Sequence, residues 1–422
     1  MLVEKEEAMS TTRSGVAGDA AHDRRITTAL FAAGLTTFAS MYSAQALLPS
    51  LSAAFGAPPA RAALAVSLTT GFLALAIIPV SALSSRIGRT KVMTGSAIAA
   101  AVIGLLLPLS PSLDVLLAGR AIQGVALAGV PAVAMAYLAE EIGGDGLGAA
   151  MGIYVAGTTI GGLAGRLIPA FTSNLASWRW ALAVASLAAA ACTVWFVRWL
   201  PPSRGFVQRP AGIRTVLGDL GSQLRHRGLL ALFGLAFVLM GGFVSMYNYL
   251  GYRLASAPFS LPEALAGLVF VLYLAGTAAS AASGRLTDRI GRQWVLTISL
   301  VAMTIGLVLT IPDHLGTVIL GVLLYTAGFF GAHTAASAWV GAMAEGNRGA
   351  ASSLYLFAYY LGSALVGGAA GIAYARAGWL GLTCGIGILM VLAALLLGVS
   401  HRAQREAATR AAPALEAAAV RV

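Results

Sequence analysis

The side chains able to do chemistry inside the apolar stretches of this 422-residue chain are Tyr42, Gln45, Arg120, Tyr247, Asn248 and His333. Ionisable groups within hydrocarbon are costly and mark substrate or ion paths by default. Histidine changes charge near neutral pH. His333 therefore either carries a proton or is an imidazole packed among Ala332, Thr334 and Ser337 and bonded to a backbone carbonyl. Arginine keeps its charge, so Arg120 either holds an anion or polarises a neighbour, or bonds structurally to backbone or Gln123. Gln45 and Asn248 are polar groups without the interfacial habit of tyrosine, and with Tyr42 and Tyr247 they are read as lining a substrate cavity. Arg166 is read as snorkelling to the membrane interface. Tyr355, Tyr359 and Tyr360 form an aromatic face that suits packing and binding equally.

What is missing narrows the chemistry. Lysine occurs only at positions 5 and 91, so no phosphate-cradling Walker A loop can form and ATP hydrolysis is excluded. Neither HExxH nor GxSxG occurs, which removes the common membrane hydrolases. All 16 Asp and Glu fall in loops, tails or span ends. Cys192 and Cys384 both fall inside spans, which argues against a disulfide or a cysteine metal site. The reading is a non-enzyme without cofactor or metal.

The elements that must position these side chains are membrane helices, because 58% of residues are hydrophobic and only 10% charged. A crossing takes about 20 apolar residues. Such runs lie near 27–51, 62–83, 92–110, 114–138, 148–171, 179–200, 229–252, 262–284, 293–311, 315–343, 350–375 and 379–400. They must be helical, since an open sheet edge leaves backbone groups unpaired in lipid. Of the 27 Lys and Arg, Arg61, Arg166, Arg179, Arg253 and Arg376 fall at or near one side, Arg120 is in a span, and the rest share the other side. That places both termini in the cytoplasm and accounts for the net charge of +11 as topology rather than nucleic-acid binding. Residues 1–26 read as a cytoplasmic tail without a cleavable signal, with Met9 an alternative start to Met1; 201–228 reads as a basic cytoplasmic linker and 401–422 as a second tail.

The spans divide into six-helix halves, 27–200 and 229–400, that repeat one another. Phe38, Ser40, Met41 and Tyr42 recur as Phe243, Ser245, Met246 and Tyr247. The turn Ser85-Arg86-Ile87-Gly88-Arg89 recurs as Asp288-Arg289-Ile290-Gly291-Arg292. Parallel repeats of this kind belong to transporters. Gly157, Gly161, Gly162 and Gly165 place small side chains at helical spacing, where helix backbones can approach closely.

The paired turns resemble the signature after the second and eighth spans of the major facilitator superfamily. Arg120 to Gly124 resembles its arginine motif, and Gly157 to Gly162 the antiporter motif of its drug and sugar efflux branches. Tyr247 to Arg253 and Gly328 to His333 are similar to bacterial inner-membrane transporters allied to arabinose-efflux permeases. The resemblance implies an all-α fold of two parallel six-helix bundles in the bacterial inner membrane, with the first and seventh helices lining the cavity. It also implies that the acid of each turn latches the cytoplasmic side against a helix N-terminus in the other half, where a carboxylate is favourable. Asp288 fits that role against the start of the fifth span near Gly148. Ser85, standing where the family has Asp, offers only a neutral cap near Gly349, and Thr158 replaces a usual Pro.

The function expected is proton-coupled efflux of small organic solutes by a monomer in the lipid bilayer, working by alternating access. An uncoupled facilitator of sugars or metabolites, and a transporter-like sensor without flux, are the alternatives. An interior with Arg and His but no carboxylate points to neutral or anionic substrates over lipophilic cations.

Overall fold

A computed structural model describes residues 2–142, 146–206, 208, 213–344 and 348–419, and its regular structure is helical. Among the described residues ten helices are long and apolar enough to cross a membrane. The first span belongs to α1 (Leu2–Tyr42), and the last helix carries two legs, so the architecture is that of twelve membrane helices in two halves.

The first half comprises α1, the short α2 (Leu48–Phe55), α3 (Pro59–Ile87), α4 (Arg89–Leu106), α5 (Leu113–Leu127), α6 (Gly129–Glu141), α7 (Leu147–Leu175) and α8 (Trp178–Trp199). The linker contains α9 (Ile213–Leu224). The second half comprises α10 (Arg227–Ala255), α11 (Glu263–Gly267), α12 (Tyr273–Ile290), α13 (Arg292–Leu309), α14 (Leu315–Met343) and α15 (Arg348–Ala419), whose two legs meet at the non-helical pair Ala377 and Gly378. The segments read as tails are helical backbone continuous with α1 and α15.

Three spans are interrupted in ways composition does not announce. The first leaves α1 at Tyr42 and passes through a 3-10 turn, Gln45–Leu47, before α2. The fourth breaks at Ala128 between α5 and α6, and the eighth runs as 3-10 helix over Leu268–Leu272. Broken helices are tolerated at membrane depth only where protein or a cavity takes up the freed backbone groups.

Glycines set the spacing inside the first half. A side chain at Gly161 would meet the Leu35 carbonyl oxygen at 2.5 Å, and at Gly157 and Gly165 it would strike the Phe31 and Ala39 carbonyls. One face of α7 therefore lies directly on α1, as the small-residue spacing predicts. The repeated turns need glycine for another reason. Gly88 and Gly291 close α3 and α12 at φ +108° and +85°, with their N–H groups bonded back to the Ser84 and Thr287 carbonyls at 3.1 and 3.0 Å. Side chains with a Cβ rarely adopt that backbone.

The face holding the two turns and the linker is here called the basic face. The hydrogen bonds joining the halves lie from mid-span to the opposite face: Gln45 to Asn248, Thr70 to Ser363, Ser52 to Tyr252, Tyr252 to the Leu48 carbonyl, and Glu263 to Ser50 and Ser173. At the basic face, positions 148 and 152 of α7 and 284 of α12 look onto open space. Among the described residues the hydrogen bonds that close the halves together thus lie on the opposite face, and on the basic face a Cβ at these positions of α7 and α12 has no neighbour within 4 Å.

Candidate functional site

The two buried arginines have opposite situations. Arg120, on α5, is fully buried, and carbonyl oxygens consume its donors. Its Nε donates to Ala65 at 2.9 Å, Nη1 to the Ser40 carbonyl at 2.9 Å and to Gln123 Oε1 at 2.6 Å, and Nη2 to the Met41 carbonyl at 2.5 Å. Gln123 is fixed in turn by donating to the Ala100 carbonyl at 3.1 Å. Ser40 and Met41 lie in the last turn of α1, whose carbonyls lack intrahelical partners. A guanidinium there satisfies them and sits at the negative end of the helix dipole. This is the local reason the first span can stop at Tyr42 and turn, which swings Gln45 into the interface between the halves.

Arg166, on α7, is only 2% exposed and does not snorkel; it lies 9 residues from the end of α7 at Leu175, roughly 13 Å deep at 1.5 Å per residue. Its Nε donates to Gln45 Oε1 at 2.6 Å and Nη1 to the Gly162 carbonyl at 2.6 Å. Gln45 Nε2 in turn donates to Asn248 Oδ1 at 2.8 Å. An arginine of α7, a glutamine of the broken first span and an asparagine of α10 thus form one chain of hydrogen bonds across the two halves. Glycine at 162 leaves room for the guanidinium to fold back, since a side chain there would meet Nη1 at 3.2 Å.

Aromatic rings enclose the charge. The Arg166 guanidinium carbon lies 3.8 Å from the Tyr42 ring centre, 4.3 Å from Tyr273 and 5.5 Å from Phe270. Cation–π contact favours this arrangement, more so away from water. Tyr247 stacks on Phe270 and packs on Tyr273 at 4.8 Å, while its hydroxyl bonds to Thr326 of α14 at 2.7 Å. Further toward the basic face, His333 shares a hydrogen bond between Nδ1 and the Tyr355 hydroxyl at 2.9 Å. Its ring packs on Tyr359 at 4.7 Å and stacks on Phe329. Tyr355 and Tyr359 therefore join His333, whereas Tyr360 is buried against first-half residues including Met41 and Leu73.

Of the residues expected to line the site, the structure brings Gln45, Asn248, Tyr42 and Tyr247 together around Arg166. Arg120 sits behind them as a brace on α1, and His333 belongs to the aromatic column of the second half. Composition and span reading missed Arg166 and Glu263. The signal for Arg166 was the glycine row: position 166 is four residues after Gly162, on the side of α7 that faces α1. Glu263, at the start of α11, accepts from Ser50 Oγ and, at 2.7 Å, from Ser173 Oγ, and so holds the opposite face closed.

The repeated turns differ in their bonding. Arg89 donates to Glu140 at the end of α6, at 2.8 Å through Nη2, and to Ser84 and Ser85 at 2.6 and 3.1 Å through Nη1. Ser85 is therefore engaged within its own turn. Asp288 is exposed and has neither a hydrogen bond nor an ion pair with any described residue, and the buried Nε of Arg292 has no acceptor. Arg86 and Arg289 are exposed. Glu141, beside Glu140, accepts from the Arg204 and Gly205 backbone N–H groups at 2.8–2.9 Å and from Ser203, anchoring the linker.

Residues 30–262 and 255–421 match the family described as the Major Facilitator Superfamily. The chain is 39% identical over 379 residues to an uncharacterized MFS-type transporter, YybF, of Bacillus subtilis, covering 90% of this chain and 94% of that one. It is 41% identical over 380 residues to the inner membrane transport protein YnfM of Escherichia coli, covering 90% and 91%. Among solved structures, a D-xylose–proton symporter superposes with a TM-score of 0.72 at 16% identity, covering 89% of this chain and 97% of that one.

Proposed function

The chain belongs to the major facilitator superfamily and is a membrane transporter rather than an enzyme, and from that premise we propose that it moves small organic solutes by alternating access, exporting them against proton entry. The basic face is then cytoplasmic, both termini are cytoplasmic, and the arrangement described above is inward-facing, in the inner membrane of a bacterium and as a monomer.

The observation that carries this reading is the chain Arg166–Gln45–Asn248. It crosses between the halves near mid-span, so a solute bound there touches both halves at once. Rocking one half against the other has to break or remake that link, and a ligand that replaces it has differential contacts with the two states, which is what coupling requires. Tyr42 and Tyr247 shape the site, and Arg120 holds α1 in the bend that presents Gln45. Ser85, Arg86, Gly88, Arg89, Asp288, Arg289, Gly291 and Arg292 form the cytoplasmic gate. His333 is the proposed proton carrier, because its Nε2 makes no hydrogen bond to a described residue and it lies on the column running toward the basic face.

Two measurements test this. Single cysteines at Gly152 or Ala281 on the basic face, and at Ser50 on the opposite one, in a chain lacking Cys192 and Cys384, are expected to label reciprocally as the halves alternate. In proteoliposomes, a solute found by a screen of metabolites and drugs is expected to accumulate under an imposed pH gradient. His333→Gln is expected to retain counterflow but lose that accumulation. Gradient-driven accumulation that survives the substitution removes His333 from coupling, and fixed labelling on both faces removes transport.

A further inference from the structure

Resting on that reading, we infer that the central site takes an organic anion with a flat, apolar body, and that Arg166 is the residue that binds its acidic group. The two buried guanidinium groups again make the contrast. Each has five N–H donors. Those of Arg120 are spread over five oxygens, on α1, α3, α5 and Ser43 just after α1, all within the first half. Arg166 makes two hydrogen bonds, through Nε and Nη1, and Nη2 makes none. Among the described residues no Asp or Glu comes within ion-pair distance of it.

A permanent charge this deep, without a counter-ion and with donors to spare, favours an incoming anion, because charges attract more strongly where water is excluded. A second donor is waiting nearby. Asn248 is 1% exposed, its Oδ1 is used by Gln45, and its Nδ2 is buried without an acceptor. The buried Nδ2 of Asn248, costly while it lacks an acceptor, and the charged Nη2 of Arg166 lie on one hydrogen-bonded chain and suit a ligand rich in acceptors. A cation would meet repulsion from Arg166 and would leave both donors unanswered.

The rings define the rest of the ligand. Tyr42 and Tyr273 flank the guanidinium; Tyr42 packs on Phe38, and from Tyr273 a run of rings passes through Phe330 and the buried Phe329 to Tyr359 and His333 toward the basic face, with Phe38, Phe330, Tyr359 and His333 each only partly buried. Ring centres 4.7–6.4 Å apart along this column suit offset or edge contact with a further flat ring. An aromatic carboxylate entering from the basic face would pass along these rings and stop with its acid at Arg166, where planar, two-point bonding to a guanidinium is available.

The test uses the full chain in lipid nanodiscs and three probes of one shape: 2-naphthoate, its neutral amide and the cation 2-naphthylmethylammonium, measured by equilibrium dialysis. Naphthoate is expected to bind roughly tenfold or more tighter than the amide, and the cation weakest, as charge-assisted bonding implies. Arg166→Gln is expected to bring the acid-to-amide ratio to about one, whatever it does to amide binding itself, and Arg166→Lys to keep part of the preference. Equal binding of acid and amide by the unaltered chain, tightest binding of the cation, no binding of naphthoate, or a full preference in Arg166→Gln would each overturn the inference. The comparison within the unaltered chain holds even if a variant fails to fold. Reciprocal cysteine labelling separates the two ideas: a protein that alternates but ignores the acid loses this inference alone, and one that does not alternate loses the transport reading.

Discussion

Replacing Arg120 is the sharpest test of what holds the site in place. In Arg120→Met the side-chain volume is roughly kept, but the Met41 carbonyl and Gln123 Oε1 lose their donor at a position with no solvent access, while the Ala65 and Ser40 carbonyls lose one donor and keep those of Thr69 and Ser43. Each buried acceptor left unpaired costs on the order of 1–3 kcal/mol. The Met41 carbonyl is at a helix end and can recover a partner if α1 extends or frays, and the variant no longer buries a charge, so the terms do not simply add. With two acceptors left unpaired at about 1–3 kcal/mol each and part of that offset, a loss of about 2–4 kcal/mol is expected here. Arg120→Lys restores the charge but has one nitrogen to reach acceptors on α1, α3 and α5, so it should recover less than half. The assay is thermal and denaturant unfolding of purified protein in detergent, followed by size exclusion, with ligand binding measured on the folded fraction. Because the bend after Tyr42 rests on this brace, binding at Gln45 should fall together with stability. A Met variant within about 1 kcal/mol of the unaltered chain in stability, yet devoid of transport, would refute the bracing argument and make Arg120 a substrate group.

The closures at the two faces should respond separately. Glu263→Gln replaces a carboxylate that accepts from both Ser50 and Ser173 with an amide having one acceptor oxygen, and labelling from the opposite face of a cysteine at the buried Ala266 should rise several-fold; unchanged labelling would mean the acid does not hold that gate. At the basic face, Asp288→Asn should increase labelling at Ala281 and Ser85→Asp should decrease it, since an acid near a helix N-terminus is favourable by about 0.3–1 kcal/mol when exposed. Identical labelling in both variants would remove the latch.

Much of the architecture was legible in the chain because the membrane imposes it. Hydrocarbon allows backbone only in self-bonded form, so apolar run length gives the number of crossings, and the repeated turn gives the two halves. The glycine row from Gly157 to Gly165 announced a close approach of helix backbones, though not that α1 is the partner, and Gly88 and Gly291 announced turns that other residues resist. Gln45 and Asn248 stood out because an amide in hydrocarbon needs a partner; their pairing with each other, across 203 residues, did not.

What only the tertiary structure decided is which buried charge does what. Sequence gives the depth of a residue along its helix, but the neighbours of a side chain depend on helix rotation, on crossing geometry and on where a helix breaks. Arg120 and Arg166 are both arginines in apolar surroundings. One is spent because α1 ends beside it and leaves carbonyls that need donors; the other keeps free N–H groups because the elements around it contribute rings and a single amide oxygen. The supply of free carbonyls is set by the break at Tyr42, and that break is stable only because Arg120 packs against it from a helix 80 residues further along the chain.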